Sequence, residues 1–370
     1  MSEPPTIAVD LRALVKTVTG IGVYTRSLLL ELARRREHRF LGLAHGPVEG
    51  AAELLAAGIP TERKSAPLGV LWQQLRLPGR LARGDVDLFW SPHMTLPLRC
   101  PVPAVATVHD LTTLLFPDHH RMKVRWSVYP FLHASLDRAR RIVADSEATA
   151  ADLRFHFPEC AERTTVIHPG IDAEFRPGEP DGIAATRAEI GAPDGYLLYA
   201  GTLEPRKNVG ALIDAWEALA AGGEIPPLVL AGPYGWGSQR LLARIEALRP
   251  RGLIHLGAVP RARLVRLFQA ATAFVYPSLY EGFGLPAAEA LACGVPTVVS
   301  NRSSLPEVVG DAGLLVEIGD RSALAAALHR LLADPGLAAD LAARGPARAA
   351  LFTWQRAAAR MDEVFSAALA

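Results

Sequence analysis

The stretch from Tyr276 to Ser300, Y-P-S-L-Y-E-G-F-G-L-P-A-A-E-A-L-A-C-G-V-P-T-V-V-S, decides the fold of the second half of this 370-residue chain. Apolar runs at Ala273–Tyr276 and Val295–Val299 flank a Gly-Phe-Gly turn and a segment with helical spacing. Pro286 stands where a helix would begin. This order predicts a strand, a loop, a helix and a second strand, which is the repeating unit of a parallel sheet.

Two carboxylates in this stretch, Glu281 and Glu289, are eight residues apart. Glu281 belongs to the Gly-rich loop, and Glu289 lies about one turn into the predicted helix. A helix N-terminus that follows such a loop offers unpaired backbone N–H groups and a positive dipole end to a phosphate. Carboxylates on either side of a diphosphate would hold hydroxyl groups, which suggests a sugar at one end and a ribose at the other.

The order of strand and then helix runs along the whole chain and predicts two α/β halves with parallel sheets. The strands predicted in the first half are Ile7–Asp10, Phe40–Ala44, Leu88–Trp90, Ala104–His109, Arg141–Asp145 and Thr165–His168. Those in the second half are Tyr196–Tyr199, Leu228–Ala231, Leu253–Leu256, Ala273–Tyr276, Thr297–Ser300 and Gly313–Val316. A segment rich in Pro and Gly, 175–182, predicts a linker. Ligands of such sheets bind at the carboxyl ends of the strands, so we expect a site in a cleft between the halves.

Composition and charge argue against several classes of protein. The formal net charge of +1 disfavours a nucleic-acid partner. The three cysteines, Cys100, Cys160 and Cys293, have no metal-binding or redox spacing and indicate a reducing compartment. The first ten residues show no signal peptide, and no apolar run approaches the roughly 18 residues of a membrane span. We therefore expect a soluble cytoplasmic protein, and basic clusters in the first half leave peripheral contact with an anionic inner-membrane surface open.

Two cations, Arg206 and Lys207, follow the first strand of the second half within G-T-L-E-P-R-K-N. Paired cations at a strand end would neutralise a diphosphate leaving group. The alternative for such a pair is a solvated position on the surface. The strand end and the Glu281 loop farther along the chain favour the binding role.

Three features of the first half are candidates for the same chemistry. Gly20 and Gly22 stand in the turn before a helix predicted from about Val23, and glycines let the backbone approach a ligand. Their spacing is not that of a dinucleotide-binding motif. His109 ends a strand and could bind a sugar hydroxyl or shuttle a proton, although its own surroundings could equally satisfy it. The Asp-Val-Asp sequence at 85–87 precedes a strand, so we predict a turn there and no metal site.

Taken together, these motifs resemble family 4 of the retaining glycosyltransferases. The resemblance is carried by Glu-x7-Glu in E-G-F-G-L-P-A-A-E, by G-T-L-E-P-R-K-N, and by the opening D-L-R followed by T-G-I-G-V-Y-T, and it runs the whole chain. It implies the GT-B architecture, in which two Rossmann-like domains face a cleft and the C-terminal helix crosses back to the first domain. It also implies an acceptor-binding domain at 1–176, joined by the helix 354–370, and a donor-binding domain at 177–353.

The resemblance implies roles for individual residues. Glu281 would contact the hydroxyls of the donor sugar, Glu289 would grip the ribose, and Lys207 would bind the phosphate. His109 would contact the donor sugar from the first domain. The remaining donor contacts would come from Gly20, Gly22, Gly257, Val259, Phe283, Gly284 and Leu285. In one departure from the family pattern, Thr202 stands where many members have Arg, and Arg206 would supply that charge.

The function implied is that of a metal-independent, retaining glycosyltransferase with a nucleotide-diphosphate sugar as donor substrate and no permanently bound cofactor. Likeness to bacterial mannosyltransferases of O-antigen and polysaccharide assembly favours GDP-mannose, and UDP-sugars remain open. The acceptor would be a glycan or a lipid-linked glycan, bound by loops such as 116–126. The alternatives are a phosphorylase or epimerase on the same architecture, and a binding protein with a degenerate site.

Overall fold

The computed structural model describes residues 3–15, 20–116, 131–223 and 225–370. The chain forms two compact units. The first comprises Met1–Gly170 and Phe352–Ala370, and the second comprises Ile171–Leu351. Each unit is built on one parallel sheet, which confirms the predicted class of two Rossmann-like α/β domains.

The sheet of the first unit has seven parallel strands in the order β3-β2-β1-β4-β5-β6-β7. Their bounds are β1 Thr6–Asp10, β2 Arg39–Ala44, β3 Thr61–Arg63, β4 Leu88–Ser91, β5 Ala104–Val108, β6 Arg141–Ala144 and β7 Thr164–Val166. The prediction from sequence missed β3. This strand is a short edge strand of three polar residues with exposed side chains at both ends, so it has no apolar run to reveal it.

Helices of the first unit cover both faces of this sheet. The α-helices are Gly20–Arg35, Ala51–Ala56, Gly69–Leu71, Leu77–Leu81, Thr112–Leu115, 131–138, Glu147–His156 and Trp354–Leu369, with a π-helical turn at Trp72–Arg76 and 3₁₀ turns at Arg12–Leu14 and Pro158–Arg163. The last helix buries Met361 and Phe365 in the core of the first unit beside Gly20–Arg35. The predicted return of the C-terminal helix to the first domain is therefore confirmed.

The sheet of the second unit has six parallel strands in the order β10-β9-β8-β11-β12-β13. Their bounds are β8 Leu197–Ala200, β9 Leu228–Ala231, β10 Leu253–Gly257, β11 Ala273–Tyr276, β12 Thr297–Ser300 and β13 Gly313–Val316. The α-helices are Pro180–Ile190, Val209–Ala220, Gln239–Leu248, Arg261–Ala270, Leu285–Ala292, Leu305–Val309, Arg321–Ala333 and Pro335–Ala349, with 3₁₀ turns at Pro205–Lys207 and Arg249–Arg251. The predicted strands and the predicted start of a helix beside Pro286 are confirmed.

The segment predicted as a linker, 175–182, is part of the second unit. The ring of Phe175 is buried, with its centroid 5.7 Å from that of Phe268. A helix begins at Pro180, because proline fixes a helical φ and needs no hydrogen-bond partner at that position. The composition of this segment therefore marked the start of a helix, and the first unit ends earlier, at Gly170.

The strand order of each sheet sets where a ligand can bind. In the first sheet, strands β2 and β3 are added on one side of β1 and β4 to β7 on the other, so the strand order switches between β1 and β4. The second sheet has the same switch between β8 and β11. The loops after such a pair of strands diverge and leave a crevice at the carboxyl end of the sheet. The candidate residues follow β1 and β5 in the first unit and β8 and β11 in the second, apart from Gly257 and Val259, which lie at the end of β10. Within the described ranges, no helix has both the length and the apolar character needed to cross a membrane.

Candidate active site

A buried group of charged side chains follows β8 and β11 in the second unit. The Nζ atom of Lys207 donates hydrogen bonds to both carboxylate oxygens of Glu281, at 2.6 and 2.8 Å, and to the hydroxyl of Tyr276 at 2.7 Å. The relative exposure of Lys207 is 8% and that of Glu281 is 7%. Three acceptors therefore engage the three ammonium protons, and the structure brings together two residues predicted from different motifs.

The turn after β8 places Lys207 beneath that carboxylate. Gly201 has φ +147°, so the chain can leave the strand in a direction that residues with side chains rarely adopt. Pro205 then begins a 3₁₀ turn that carries the two cations. Asn208, at φ +55°, ends the turn in the left-handed region and starts the helix Val209–Ala220.

Arg206 contributes a second cation to the same carboxylate. Its Nη1 atom lies 3.6 Å from Oε2 of Glu281 and donates a hydrogen bond of 2.6 Å to the backbone carbonyl of Tyr280. Its backbone carbonyl accepts a hydrogen bond of 2.8 Å from the N–H of Leu279. These bonds join the loop after β8 to the loop after β11 and fix both cations relative to Glu281.

The two cations control the ionisation of Glu281. Burial alone would raise the pKa of this carboxyl, but the charges of Lys207 and Arg206 and the hydrogen bond from Lys207 lower the pKa below its ordinary value. Burial raises the pKa of Tyr276 well above 10, so its phenol stays protonated. Burial lowers the pKa of Lys207, and the charge of Glu281 opposes this shift. The ionised Glu281 therefore faces both cations in a buried setting, and Arg206 also pairs with Glu204 at 3.3 Å.

Serine hydroxyls and a glycine shape the loop that carries Glu281. The N–H of Glu281 donates to Oγ of Ser303 at 2.8 Å, and Oγ of Ser304 donates to the carbonyl of Phe283 at 2.7 Å. Gly284 has φ +97° and immediately precedes the helix Leu285–Ala292. Gly284 has no side chain that could accept hydrogen bonds from the first N–H groups of this helix. The residues predicted to make backbone contacts, Phe283, Gly284 and Leu285, therefore lie at a helix N-terminus beside the charged group.

Glu289 lies in that helix and faces a different cation. Its Oε1 atom lies 3.7 Å from Nη1 of Arg261, which also pairs with Asp172 and with Glu174 and lies over the ring of Phe175, 4.8 Å from its centroid. Burial raises the pKa of Glu289 to about 7, although Arg261 lowers it in part. The carboxyl is therefore partly protonated near neutral pH. The sequence analysis missed Arg261, whose place at the start of a helix among exposed cations is typical of a solvated surface.

The other positions predicted in the second unit lie at the carboxyl ends of its strands. Gly257 ends β10 with φ +65°, and Val259 is half-buried two residues farther on. The backbone carbonyl of Thr202 accepts a hydrogen bond of 3.1 Å from the hydroxyl of Tyr199. The place of these residues is compatible with backbone contact to a ligand.

The first unit has its own buried pair after β5 and β6. Nδ1 of His109 lies 2.6 Å from Oδ2 of Asp145, and Nε2 lies 2.8 Å from the backbone carbonyl of Pro92. Burial lowers the pKa of His109, but Asp145 and the bond to Pro92 outweigh it, and the net shift is upward. Both ring nitrogens are thus engaged inside the protein. The sequence analysis missed Asp145, and the only signal for it was a polar residue at the end of an apolar strand.

Gly20 and Gly22 lie inside the helix that packs beside this histidine. The helix begins at Gly20, three residues before the predicted start, so the expectation of a loop at these glycines is wrong. A glycine costs little in the first turn, where the backbone N–H groups have no helical partner. Tyr24, in the next turn, contacts His109 edge-on, with ring centroids 4.8 Å apart. The predicted glycines and His109 therefore lie at the same end of the first unit.

Several acidic groups that could attract a metal are engaged or exposed. Asp85 pairs with Arg80 at 2.7 Å, and Asp87 accepts a hydrogen bond of 2.7 Å from the N–H of Thr6. Among the described residues, one group offers ligand atoms within 4.8 Å of one another, and all its members are exposed: His133, Asp137 and Glu159. The loop predicted to bind the acceptor, 116–126, lies outside the described residues from 117 onward.

Two family profiles match most of the chain. Residues 18–175 match the family described as Glycosyltransferase Family 4, and residues 185–348 match Glycosyl transferases group 1. The O-antigen chain mannosyltransferase B of Escherichia coli is 36% identical over 357 residues, which cover 91% of this chain and 93% of the relative. The serotype-specific mannosyltransferase WbdA of E. coli is 31% identical over 275 residues, 72% of this chain but 34% of the relative.

A solved structure shares the fold over almost the entire length. The crystal structure of Anabaena HepE in complex with UDP and glucose superposes with a TM-score of 0.75 at 22% sequence identity. The superposition covers 97% of this chain and 99% of HepE.

Proposed function

Because this chain belongs to family 4 of the glycosyltransferases and has their GT-B fold, we propose that it is a retaining enzyme that transfers mannose from GDP-mannose to a glycan or lipid-linked glycan. The observation that carries the proposal is the buried contact of Lys207 and Arg206 with Glu281 beside a helix N-terminus. This arrangement combines the cations needed by a diphosphate with a carboxylate suited to sugar hydroxyls.

In this proposal the diphosphate of the donor binds between the two cations and the helix that begins at Leu285. Lys207 and Arg206 stabilise the negative charge that develops on the leaving phosphate, and the helix dipole adds to them. The two cations supply the charge that a divalent metal supplies in other transferases, so no metal is required. Glu281 orients the sugar, and Glu289 binds the ribose hydroxyls.

The proposed reaction retains the configuration at the anomeric carbon. The acceptor hydroxyl attacks the face from which the diphosphate departs, and an oxygen of the leaving phosphate takes up the hydroxyl proton. No protein nucleophile is needed in this sequence. Glu281 is held by two cations, which weakens it as a nucleophile, so its role is to orient the sugar and to support positive charge at the anomeric carbon.

The choice of mannose rests on the E. coli O-antigen mannosyltransferases, which are 31–36% identical to this chain. HepE was crystallised with UDP, so a guanine base is the point of the proposal that most needs a test. The first unit, with the loop 116–126, binds the acceptor, and the second binds the donor. The site of action is the cytoplasm, with peripheral contact at the inner membrane surface for a lipid-linked acceptor.

Calorimetric titration with GDP, UDP and ADP, in buffer containing EDTA, tests the donor. We expect GDP to bind most tightly. Preference for UDP would overturn the mannosyl assignment, and binding of none of the three by a folded sample would overturn the enzymatic proposal. The Lys207→Ala variant should lose GDP affinity, whereas Arg330→Ala, which removes an exposed cation from the same unit, should not.

The second experiment tests the reaction itself. The enzyme is incubated with GDP-mannose and a mannose-terminated oligosaccharide, and the anomeric configuration of the new bond is read by NMR. We expect the α configuration of the donor to be kept. An inverted product would contradict the retaining mechanism, and release of mannose 1-phosphate with free phosphate as acceptor would identify a phosphorylase.

A further inference from the structure

We propose that Asp145 holds His109 permanently as an imidazolium ion, so that His109 serves as a fixed positive charge in the reaction and not as a proton carrier. The catalytic consequence rests on the function proposed above. The charge state of His109 is a property of the first unit and can be measured independently. Asp145 is in this view a positioning residue that acts through His109.

Both ring nitrogens of His109 face hydrogen-bond acceptors. Nδ1 of His109 lies 2.6 Å from a carboxylate oxygen of Asp145, and Nε2 lies 2.8 Å from the carbonyl oxygen of Pro92. A carbonyl oxygen and an ionised carboxylate can only accept hydrogen bonds. Both ring nitrogens must therefore carry a proton, and an imidazole with two N–H groups is a cation.

Burial stabilises the ion pair of His109 and Asp145. His109 is 9% exposed and Asp145 is 5% exposed, so water does not compete strongly for either group. Among the described residues, Oδ1 of Asp145 has no hydrogen-bond partner, and the carboxylate makes its charged contact with His109 through the other oxygen. A buried carboxylate with one cationic partner keeps that partner charged, because loss of the proton from His109 would leave the charge of Asp145 uncompensated.

The backbone on both sides of His109 is fixed. Oγ of Ser91 donates a hydrogen bond of 2.9 Å to the carbonyl of Thr95, which holds the loop that presents Pro92. The hydroxyl of Thr149 donates a hydrogen bond of 3.2 Å to the carbonyl of His109. The two hydrogen-bond acceptors of the imidazolium, Pro92 and Asp145, therefore lie just after β4 and β6, the strands on either side of β5.

The other titratable groups around His109 favour the same state. Asp110, next in sequence, raises the pKa of His109 as Asp145 does. Burial lowers the pKa of His93 well below 6.5, so this neighbour is neutral and does not repel the imidazolium. Burial likewise raises the pKa of Tyr24 well above 10, so the phenol that faces the ring adds no negative charge.

An imidazolium in this position has a defined chemical role. It has no lone pair with which to accept a proton from a sugar hydroxyl, and protein acceptors engage both of its N–H groups. It lies beside the positive end of the helix Gly20–Arg35, whose Tyr24 contacts the ring. Because the carboxylates of Asp145 and Asp110 offset its charge, the imidazolium acts as the fixed positive end of a local ion pair and not as a source of net positive potential.

The direct test is nitrogen-15 NMR of the histidine side chains in the intact protein, with His109→Gln used to assign the signal. We expect both ring nitrogens of His109 to show the protonated chemical shift between pH 6 and 8. A neutral tautomer of the wild-type His109 anywhere in this range would overturn the proposal, whatever the behaviour of any variant.

The Asp145→Asn variant tests the positioning role, because asparagine keeps the shape and an acceptor oxygen but removes the charge. If the pKa of His109 returned to about 6.5, the protonated fraction and kcat of the variant would fall about 25-fold from pH 6 to pH 8. Wild type should show no such loss, nor should Asp137→Asn, which removes an exposed carboxylate from the same unit. Identical pH profiles for wild type and Asp145→Asn would overturn the role of Asp145.

The two proposals fail in distinguishable ways. If no sugar transfer is found, the NMR spectrum still reports the charge of His109 and the effect of Asp145→Asn on it. If transfer is found but His109 is neutral, the proposed function stands and the present inference is wrong.

Discussion

Lys207 reaches both carboxylate oxygens of Glu281, at 2.6 and 2.8 Å, although 74 residues separate the two in the sequence. The ion pair is buried, so Glu281 is the carboxylate that compensates the charge of Lys207 most closely. A bound diphosphate would compete with Glu281 for the protons of Lys207. Arg206, 3.6 Å from the same carboxylate, is placed to keep Glu281 ionised when that happens.

Substitution of Lys207 by alanine should impair both stability and catalysis. Removing Lys207 leaves Arg206, 3.6 Å away, as the cation beside the buried carboxylate of Glu281. Loss of one partner of a buried pair costs about 3–5 kcal/mol of unfolding free energy, and we expect the lower end of this range because Arg206 remains. Loss of one preorganised cation should reduce transition-state stabilisation by about 3 kcal/mol, roughly a hundredfold in kcat/KM. Denaturant unfolding and steady-state kinetics measure the two effects, and near-normal turnover would remove Lys207 from the mechanism. Arg330→Ala is the matched control.

Nucleotide binding should weaken as the pH falls through 7. The pKa of Glu289 is raised to about 7, so its carboxylate form, which would accept hydrogen bonds from a ribose, is lost on the acid side. Because the ionised fraction rises from about 9% to about 91% between pH 6 and pH 8, binding should be about tenfold tighter at pH 8. Calorimetry with wild type and Glu289→Gln separates this effect from titration of the nucleotide phosphates.

The Gln variant should bind more weakly at pH 8 and lack this part of the pH dependence. A wild-type affinity that changes no more than that of the variant would contradict the ribose role. The raised pKa of Glu289 favours folding at low pH, whereas nucleotide binding is favoured at high pH. The stability that protonated Glu289 contributes is complete below the ordinary pKa of a glutamate and is lost as the pH rises through 7.

Gly284→Ala should destabilise the second unit more than an alanine at a comparable glycine. At φ +97° a side chain is strained by roughly 1–2 kcal/mol, and a Cβ would lie 2.7 Å from Cδ2 of Leu305. Gly319→Ala is the control, since Gly319 has φ +102° and nothing within 4 Å of the same position. Thermal unfolding should show a larger loss for Gly284→Ala. Equal losses would mean that the loop can shift to accept the methyl group.

Phe365→Ala should destabilise the first unit by about 3–5 kcal/mol, the usual cost of removing a buried phenylalanine. The ring is fully buried and contacts Trp90 and His38, with centroids 5.7 and 5.6 Å away. Ser366→Ala changes the next, exposed position and should leave stability within a few tenths of a kcal/mol. A small effect of Phe365→Ala in denaturant unfolding would show that the C-terminal helix is dispensable.

The sequence was sufficient where one local pattern determines the outcome. The strands β9, β11, β12 and β13 begin and end at the predicted residues, because each is a short and mostly apolar run followed by a polar residue, glycine or proline. The helix at Gly20 was misplaced by three residues, since glycine in a first turn and glycine in a loop look alike. The edge strand β3 carried no periodic signal at all.

The partners of the candidate residues were less accessible from the sequence. His109 and Asp145 meet because β5 and β6 are neighbours in the sheet, with Val108 paired to Ala144, and neither residue marks the other in the sequence. Arg261 likewise reaches Glu289 only through the packing of two helices. A pattern can thus identify a side chain at the end of a strand, while its partner and its protonation state depend on sheet order and burial.

The return of residues 352–370 to the first unit has a consequence for biosynthesis. The first unit lacks Met361 and Phe365 from its core until residues 352–370 have been translated. The second unit is continuous in sequence, from Ile171 to Leu351, and has all its strands before that moment. Because domains generally fold as units during synthesis, we expect the second unit to mature first on the ribosome, while the first stays incomplete until residues 352–370 have emerged.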